Sequence, residues 1–198
     1  AASGVQLIVA PKVDDAAAVR GLAGRVPAGA ALWAMIETPG ALLDLPAIAR
    51  AAAAAPLEAL MLGVNDLAVG LGTGAAPDRE PLKPWLAATV AAARAHGLMA
   101  IDGVYNDFAD APGFAAESAQ ARLYGFDGKS LIQPSQSEPA NAAFSPSAED
   151  ATRARAVVAA FAAPGAAGKG AIRVEGRMVE RLHLAAAERL LARLDPGR

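Results

Sequence analysis

Short apolar runs alternate with longer helix-like stretches along most of the chain. The apolar runs are Val5–Ala10, Ala31–Ile36, Leu60–Gly63, Leu98–Ile101 and Lys129–Ile132. The stretches with helical composition are Asp14–Arg25, Ala41–Ala55, Leu82–His96 and Pro112–Tyr124. Length and flanking Gly or Pro separate strand from helix here, because periodicity alone cannot. Strands that alternate with helices predict βαβ units, and therefore a parallel sheet with helices outside it.

Two architectures contain such units, a closed (β/α)8 barrel and an open doubly wound sheet. Polar residues follow run after run, as in a site collected from many strand ends, and this favours the barrel. Five units are fewer than eight, and a complete barrel takes about 250 residues, whereas this chain has 198 and opens without Met. We therefore expect an α/β protein of the TIM (β/α)8 type that lacks its first strands.

The last quarter of the chain differs in character. A capping-box pattern at Ser147 predicts the start of a helix. A linker of small residues follows at Ala162–Gly170, and Arg177–Leu194 is predicted to be an amphipathic helix. We predict barrel units over residues 1–145 and a C-terminal helical arm over 146–198, packed on the barrel or on a neighbouring subunit.

Composition excludes several kinds of chemistry. The chain has no cysteine and two histidines, so it cannot form a disulfide, a thiolate zinc site or a three-histidine metal centre. A net charge of −2, with scattered Lys and Arg, predicts no nucleic-acid binding. The alanine-rich run Ala47–Leu60 is too short and too interrupted to cross a bilayer, and no signal-peptide pattern is present. We expect a cytoplasmic protein that binds neither membrane nor nucleic acid.

Two acidic residues follow neighbouring apolar runs. Glu37 comes directly after Ala31–Ile36, and Asp66 comes shortly after Leu60–Gly63. Because the carboxyl ends of parallel strands lie at one edge, we expect these carboxylates side by side. An oxygen-only pair suits Mg²⁺, which takes one or two protein carboxylates and leaves its other positions to water and substrate. The alternative is that each caps the helix that follows it.

Other charged residues near strand ends have less defined roles. Asp102 is interpreted as a third acid at this edge, as a residue that orients the site, or, with Gly103, as a turn former. Lys12 lies at the same edge and is interpreted as a charge partner. Lys129 opens the fifth run, so we expect it at the opposite end of the barrel, away from any catalysis.

The remaining motifs favour structural roles. Gly70–Ala75 resembles a dinucleotide fingerprint, but no helix opens directly after it, so we predict a loop at the barrel rim. His96 lies at a predicted helix end, where an imidazole meets the negative pole of the macrodipole. His183 lies in the last predicted helix, and no Gly-x-Ser-x-Gly motif is present.

Four blocks of sequence lie at these strand ends. They are Ala34–Gly40 (AMIETPG), Met61–Leu67 (MLGVNDL), Ala100–Tyr105 (AIDGVY) and Gly125–Gln136 (GFDGKSLIQPSQ). In order and spacing they resemble the HpcH/HpaI aldolase and citrate lyase beta-subunit family, which includes malyl-CoA and citramalyl-CoA lyases. The resemblance runs from about Gly4 to the final helix.

The resemblance implies a TIM barrel that assembles as a homotrimer or a multiple of one. It implies Mg²⁺ held by Glu37 and Asp66. Substrates would be citryl, malyl or citramalyl thioesters of coenzyme A or an acyl carrier. They would be cleaved reversibly at a carbon–carbon bond into an acetyl-type thioester and an α-keto acid such as oxaloacetate or glyoxylate. Backbone N–H groups of Gly63, Val64, Asn65 and Asp66 are predicted to hold the substrate carboxylate, since they lie at a strand-to-helix turn.

Three departures from the family pattern stand out. The chain starts near the family's fourth strand, so three βα units with the substrate-binding arginine are expected to be absent. Many relatives place an aspartate of the C-terminal arm in a neighbour's site; the matching residue is Glu180, our candidate catalytic residue in a neighbouring subunit. Gln133 stands where relatives often have histidine, and Leu182 where they often have proline.

Several functions remain open from the sequence. The leading hypothesis is a Mg²⁺-dependent carbon–carbon lyase acting on an acyl thioester, with thioester hydrolysis after cleavage as an extension. The first alternative is a class II aldolase for a free 2-keto-3-deoxy acid. The second is a truncated, non-catalytic barrel remnant that acts as a partner protein.

Overall fold

The structure is a computed structural model that describes residues 4–74 and 76–194. The chain divides into two compact units, a first unit that ends at Phe144 and a second unit that begins at Ser145. Each unit has its own hydrophobic cluster.

The first unit is built on a parallel sheet of five strands. They are β1 Leu7–Ala10, β2 Ala31–Ile36, β3 Leu57–Leu62, β4 Met99–Asp102 and β5 Gly128–Lys129. Its helices are α1 Ala16–Ala23, α2 Pro39–Leu43, α3 Leu45–Arg50, α4 Val64–Leu71, α5 Lys83–Ala95, α6 Ala111–Tyr124 and α7 Ser137–Phe144. Short 3₁₀ helices cover Ala51–Ala54, Pro77–Leu82 and Pro134–Gln136.

The order of the strands identifies the architecture. Each strand pairs in parallel with the next one along the chain, in the order β1-β2-β3-β4-β5. A doubly wound sheet reverses its strand order at a switch point, whereas a (β/α)8 barrel keeps it sequential. The predicted class, α/β with barrel-type βα units, is confirmed.

Side chains alternate between the two faces of the sheet. Leu32, Ala34 and Ile36 of β2 are fully buried in the cluster that the helices cover. Trp33 and Met35 point to the other face, where they pack with residues of β3 and β4. Because successive side chains point to opposite faces, a residue's position along a strand decides whether it packs on the helices or lies on the face of Trp33 and Met35.

Two local predictions for the first unit are wrong. The helix expected over Ala41–Ala55 is three short segments, because Asp44 ends α2 and Pro46 lies in the first turn of α3, where its missing N–H costs nothing. The loop expected at Gly70–Ala75 begins later, because α4 continues to Leu71 and ends at Gly72 in the left-handed conformation. Ala75 lies outside the described residues.

The second unit contains two helices and a hairpin. They are α8 Ala148–Ala162, β6 Ala171–Val174, β7 Arg177–Glu180 and α9 Arg181–Leu194, with a 3₁₀ helix at Pro164–Ala166. Ser147 and Asp150 form the predicted capping box. The helix predicted from Arg177 is wrong over its first four residues. Glu175 and Gly176 both have positive φ and form a two-residue turn, which pairs Arg177 with Val174.

Among the residues that the structure describes, no helix has the length and apolar character needed to cross a membrane.

The contact between Gly103 and α4 gives a test of the packing. A Cβ on Gly103 would clash with the side chain of Val64, the first residue of α4. We expect Gly103→Ala to destabilise the protein by about 1–3 kcal/mol in urea unfolding, because overpacking at a rigid contact costs that much. In a Val64→Ala background the cost should shrink by at least about 0.5 kcal/mol. An equal cost in both backgrounds would show that Val64 is not the obstacle.

Candidate functional site

Glu37 occupies a buried position directly after β2. It is 6% exposed, and it lies against Gly63, which directly follows β3. A Cβ on Gly63 would come within 2.5 Å of the Glu37 Cβ and 2.7 Å of Oε2. The Gly63 N–H still donates to the carbonyl of Ile36 at 3.0 Å. The pairing of β2 with β3 therefore extends to the site, and only glycine leaves room for the glutamate there.

Asp66 approaches from the neighbouring helix. It lies in the first turn of α4, which begins directly after Gly63, and its side chain is 52% exposed. The positive end of the helix dipole favours a carboxylate at this point. The alternative that the two acids cap the following helices is not met, because Thr38 caps α2 and Gly63 is the N-cap of α4 without a side-chain cap. Asp66 does lie in the first turn, where the dipole favours it.

Lys12 connects the two carboxylates. Its backbone N–H donates to Oε1 of Glu37 at 2.7 Å, and its Nζ lies 3.2 Å from Oδ1 of Asp66. Lys12 has a φ of +50°, an uncommon conformation for a residue with a side chain. The structure thus brings Glu37 and Asp66 to the same residue, Glu37 to its backbone N–H and Asp66 to its ammonium. Their assignment as metal ligands stays a prediction.

The donor set fits a small hard cation. Both side chains offer oxygen, Glu37 from a buried position and Asp66 from an exposed one, and each contacts Lys12. Across residues 4–74 and 76–194, no cluster of three or more His, Cys, Asp or Glu is placed to hold a metal. Proteins often bind Mg²⁺ through one or two carboxylates and leave its other coordination positions to water and substrate. Glu37 and Asp66 are residues of the type that such a site needs.

A cavity of about 450 Å³ adjoins the start of α4. Its lining includes Val64, Asn65, Arg79, Tyr105, Asn106 and Glu117. Asn65 and Asn106 donate to each other's side-chain oxygens, at 3.1 and 2.7 Å. Two residues of the predicted carboxylate-binding turn, Val64 and Asn65, therefore line a space large enough for a small ligand.

A closed ring of charges, which the sequence analysis missed, lies beside this cavity. Arg79 Nη1 donates to both carboxylate oxygens of Asp102, at 2.8 and 3.0 Å, and its Nε lies 3.3 Å from Glu117. Lys129 Nζ lies 2.8 Å from Asp102 and 2.6 Å from Glu117. The side chains of Asp102 and Lys129 are fully buried. Each charge in the ring has two partners of opposite sign.

The ring corrects two expectations. Lys129 is the last residue of β5, not its first, so it lies at the same edge as the other strand ends and in register with Asp102. Asp102 does not act as an exposed turn former, because its carboxylate is enclosed by Arg79 and Lys129. Asp102 lies two residues after Ala100 in β4, so both side chains are on the sheet face that packs on the helices. Glu37 is on the other face.

Tyr105 carries a perturbed hydroxyl on the cavity wall. It donates to Oδ2 of Asp110 at 2.6 Å, and Oδ1 of Asp110 accepts the Gly113 N–H. The hydrogen bond to the carboxylate, with burial and nearby negative charge, raises the pKa of Tyr105 to about 12. The hydroxyl of Tyr105 and the N–H of Gly113 lower the pKa of Asp110. Tyr105 therefore stays protonated at neutral pH.

The remaining candidates lie at helix ends. His96 is the C-cap of α5, as its sequence position predicted. Nδ1 of His183 accepts the Glu180 N–H at 2.9 Å, which links the end of β7 to the first turn of α9. Glu180 is partly buried within the second unit. Its predicted catalytic role in a neighbouring subunit stays a prediction.

Comparison with known proteins places the chain in a family. The model of the HpcH/HpaI aldolase/citrate lyase family matches residues 1–134. The chain belongs to this family, whose members include lyases and thioesterases.

Two curated relatives come from Cereibacter sphaeroides. A (3S)-malyl-CoA thioesterase is 44% identical over 188 residues, which are 95% of this chain and 65% of the relative. An L-malyl-CoA/beta-methylmalyl-CoA lyase is 36% identical over 155 residues, which are 70% of this chain and 49% of the relative. The chain thus spans about two thirds of the thioesterase and half of the lyase.

A solved structure shares the fold. Protein CitE from Mycobacterium tuberculosis, in complex with magnesium, acetoacetate and coenzyme A, is 31% identical. The match has a TM-score of 0.74 and covers 95% of this chain and 68% of that one.

Removal of Lys129 tests the charge ring. We expect Lys129→Met to cost about 3–5 kcal/mol of unfolding free energy, because it leaves buried carboxylates undercompensated. Arg153→Met is the matched control, since Arg153 forms an exposed pair with Glu149 that is worth under about 1 kcal/mol. Urea unfolding measures both variants. A loss for Lys129→Met no larger than the control's would contradict the ring's structural role.

The Tyr105 hydroxyl gives a prediction about pH. Phenolate absorbance should report one tyrosine that titrates near pH 12. Asp110→Asn removes the negative charge that opposes ionisation, so the midpoint should fall toward the ordinary tyrosine value of about 10. A midpoint that does not move in the variant would show that Asp110 is not the cause.

Proposed function

We propose that this protein is a Mg²⁺-dependent enzyme that acts on a malyl-type thioester of coenzyme A and hydrolyses its thioester bond. The observation that carries the proposal is the convergence of Glu37 and Asp66 around Lys12. The choice of thioester and reaction is supported by the 44% identity to (3S)-malyl-CoA thioesterase over 95% of this chain. Magnesium and coenzyme A are both present in the complex of the related CitE.

Glu37 and Asp66 would hold the metal, each through a carboxylate oxygen. When bound, Mg²⁺ acts as a Lewis acid that polarises a substrate oxygen. Glu37 is buried and packed against Gly63, so it offers a rigid ligand, whereas the exposed Asp66 can adjust. The first turn of α4 has backbone N–H groups without helical partners, and these favour the substrate's free carboxylate.

The cavity wall orients the rest of the substrate. Asn65 and Asn106 can exchange their mutual hydrogen bonds for bonds to a polar ligand in the cavity. Tyr105 does not supply a proton, because its hydroxyl is engaged with Asp110 and its pKa is raised to about 12. Hydrolysis needs a base for the attacking water, and Glu180 of a neighbouring subunit is our candidate.

Carbon–carbon cleavage is the second candidate. The 36% identity to L-malyl-CoA/beta-methylmalyl-CoA lyase favours it, as does the family resemblance at the four sequence blocks. The two reactions give different products from malyl-CoA: free coenzyme A and malate from hydrolysis, acetyl-CoA and glyoxylate from cleavage. The homotrimer, the acyl-carrier alternative and the cytoplasmic location stay predictions.

Substitution of the two carboxylates tests the proposal. We expect Glu37→Gln and Asp66→Asn each to lower Mg²⁺-dependent turnover of malyl-CoA by at least about 100-fold, because several kcal/mol of charge stabilisation are lost. Chromatographic separation of the four products measures both rate and reaction type. Glu58→Gln, an exposed change on β3, is the control and should retain activity.

The outcomes separate the hypotheses. Activity retained in either Glu37→Gln or Asp66→Asn would contradict the assignment of that residue as a metal ligand. Acetyl-CoA and glyoxylate in equal amounts would favour the lyase. Turnover of a free 2-keto-3-deoxy acid, with none of any thioester, would favour the aldolase instead.

A further inference from the structure

Lys12 makes two contacts of different kinds with the carboxylate pair. Its backbone N–H donates to Glu37 Oε1, which is buried, and its ammonium pairs with Asp66 Oδ1, which is exposed. One residue therefore occupies one oxygen of each predicted metal ligand. The left-handed backbone at Lys12 aims its N–H at Glu37 and is held there against an unfavourable conformation.

The backbone contact is held firmly by the residues that follow Lys12. The N–H of Val13, which is 1% exposed, donates to the carbonyl of Met35 in β2. Asp14 accepts a hydrogen bond from the Thr38 hydroxyl at the start of α2. The segment is thus tied to β2 and to the residues directly after it, so the N–H of Lys12 is fixed beside Glu37.

The ammonium contact is easily exchanged. The side chains of Lys12 and Asp66 are 65% and 52% exposed. An exposed ion pair contributes little, and its partners keep most of their freedom of movement. A divalent cation on Asp66 would repel the ammonium at short range, so the two cations compete for one carboxylate.

We propose that Lys12 is an exchangeable counter-ion of the metal site and sets its affinity. Its ammonium neutralises Asp66 when no divalent cation is bound and leaves when one binds, while its N–H stays on Glu37. This inference rests on the proposed function, because it takes Glu37 and Asp66 as the ligands. Lys12 then has two opposite effects: its ammonium competes with the metal for Asp66, while its backbone N–H holds Glu37 in place.

Calorimetric titration with Mg²⁺ tests this role without an activity assay. Lys12→Met keeps the backbone N–H and removes the competing charge, so we expect about threefold to tenfold tighter binding. Lys12→Arg keeps the charge and should stay within about twofold of the parent protein. Arg50→Met is the control for net charge, because Arg50 is exposed at the end of α3, which leads to the opposite edge of the sheet.

Each outcome has a distinct meaning. Unchanged or weaker binding in Lys12→Met, with the parent protein binding Mg²⁺ through Glu37, would overturn the counter-ion role and leave the proposed function standing. Equal tightening in Arg50→Met would also overturn it, since the effect would then be one of net charge. Parent protein whose Mg²⁺ binding is absent, or is unaffected by Glu37→Gln, would overturn both proposals.

Discussion

The packing of Glu37 against Gly63 controls the geometry of the candidate site. With no Cβ at residue 63, the glutamate side chain lies directly on the backbone that leads from β3 into α4. That contact sets where α4 begins, and so where Asp66 and the first free N–H groups of the helix are presented. A buried carboxylate and an exposed carboxylate beside a helix N-terminus then both contact Lys12. The position of the turn, and with it that of Asp66, depends on this contact.

A second electrostatic arrangement supports the same edge from the opposite face of the sheet. The ring of Asp102, Arg79, Glu117 and Lys129 connects β4, β5, α6 and the segment before α5. Asp78 and Arg79 both have positive φ, a conformation that is unfavourable for residues with side chains. The ion pairs of Arg79 in the ring offset this cost. Glu37 is on the sheet face of Trp33 and Met35, whereas Asp102 is on the face that packs on the helices. The acids at neighbouring strand ends therefore have different tasks.

Much of the first unit follows from local sequence. The run Ala31–Ile36 is β2 as predicted. Glu37 after β2 and Asp66 after β3 both contact Lys12, because parallel strands present their carboxyl ends at one edge. The position of Lys129 does not follow from the sequence, because a two-residue strand has no period and its register with Asp102 depends on strand pairing. Alternation along β4 could have indicated that Asp102 faces the helices. No motif near Arg79 predicts that its side chain is buried. The residues around the Glu175 turn have helical composition, so the sequence predicts a helix where the structure has a hairpin.

We propose that Glu37 and Asp66 bind one divalent ion. Crystals soaked with Mn²⁺, which substitutes for Mg²⁺ and scatters anomalously, would test it most directly. We expect one strong anomalous peak at about 2.0–2.1 Å from an oxygen of each carboxylate, with the Lys12 ammonium displaced from Asp66. A peak bound elsewhere, or an undisturbed contact between Lys12 and Asp66 at saturating Mn²⁺, would contradict it.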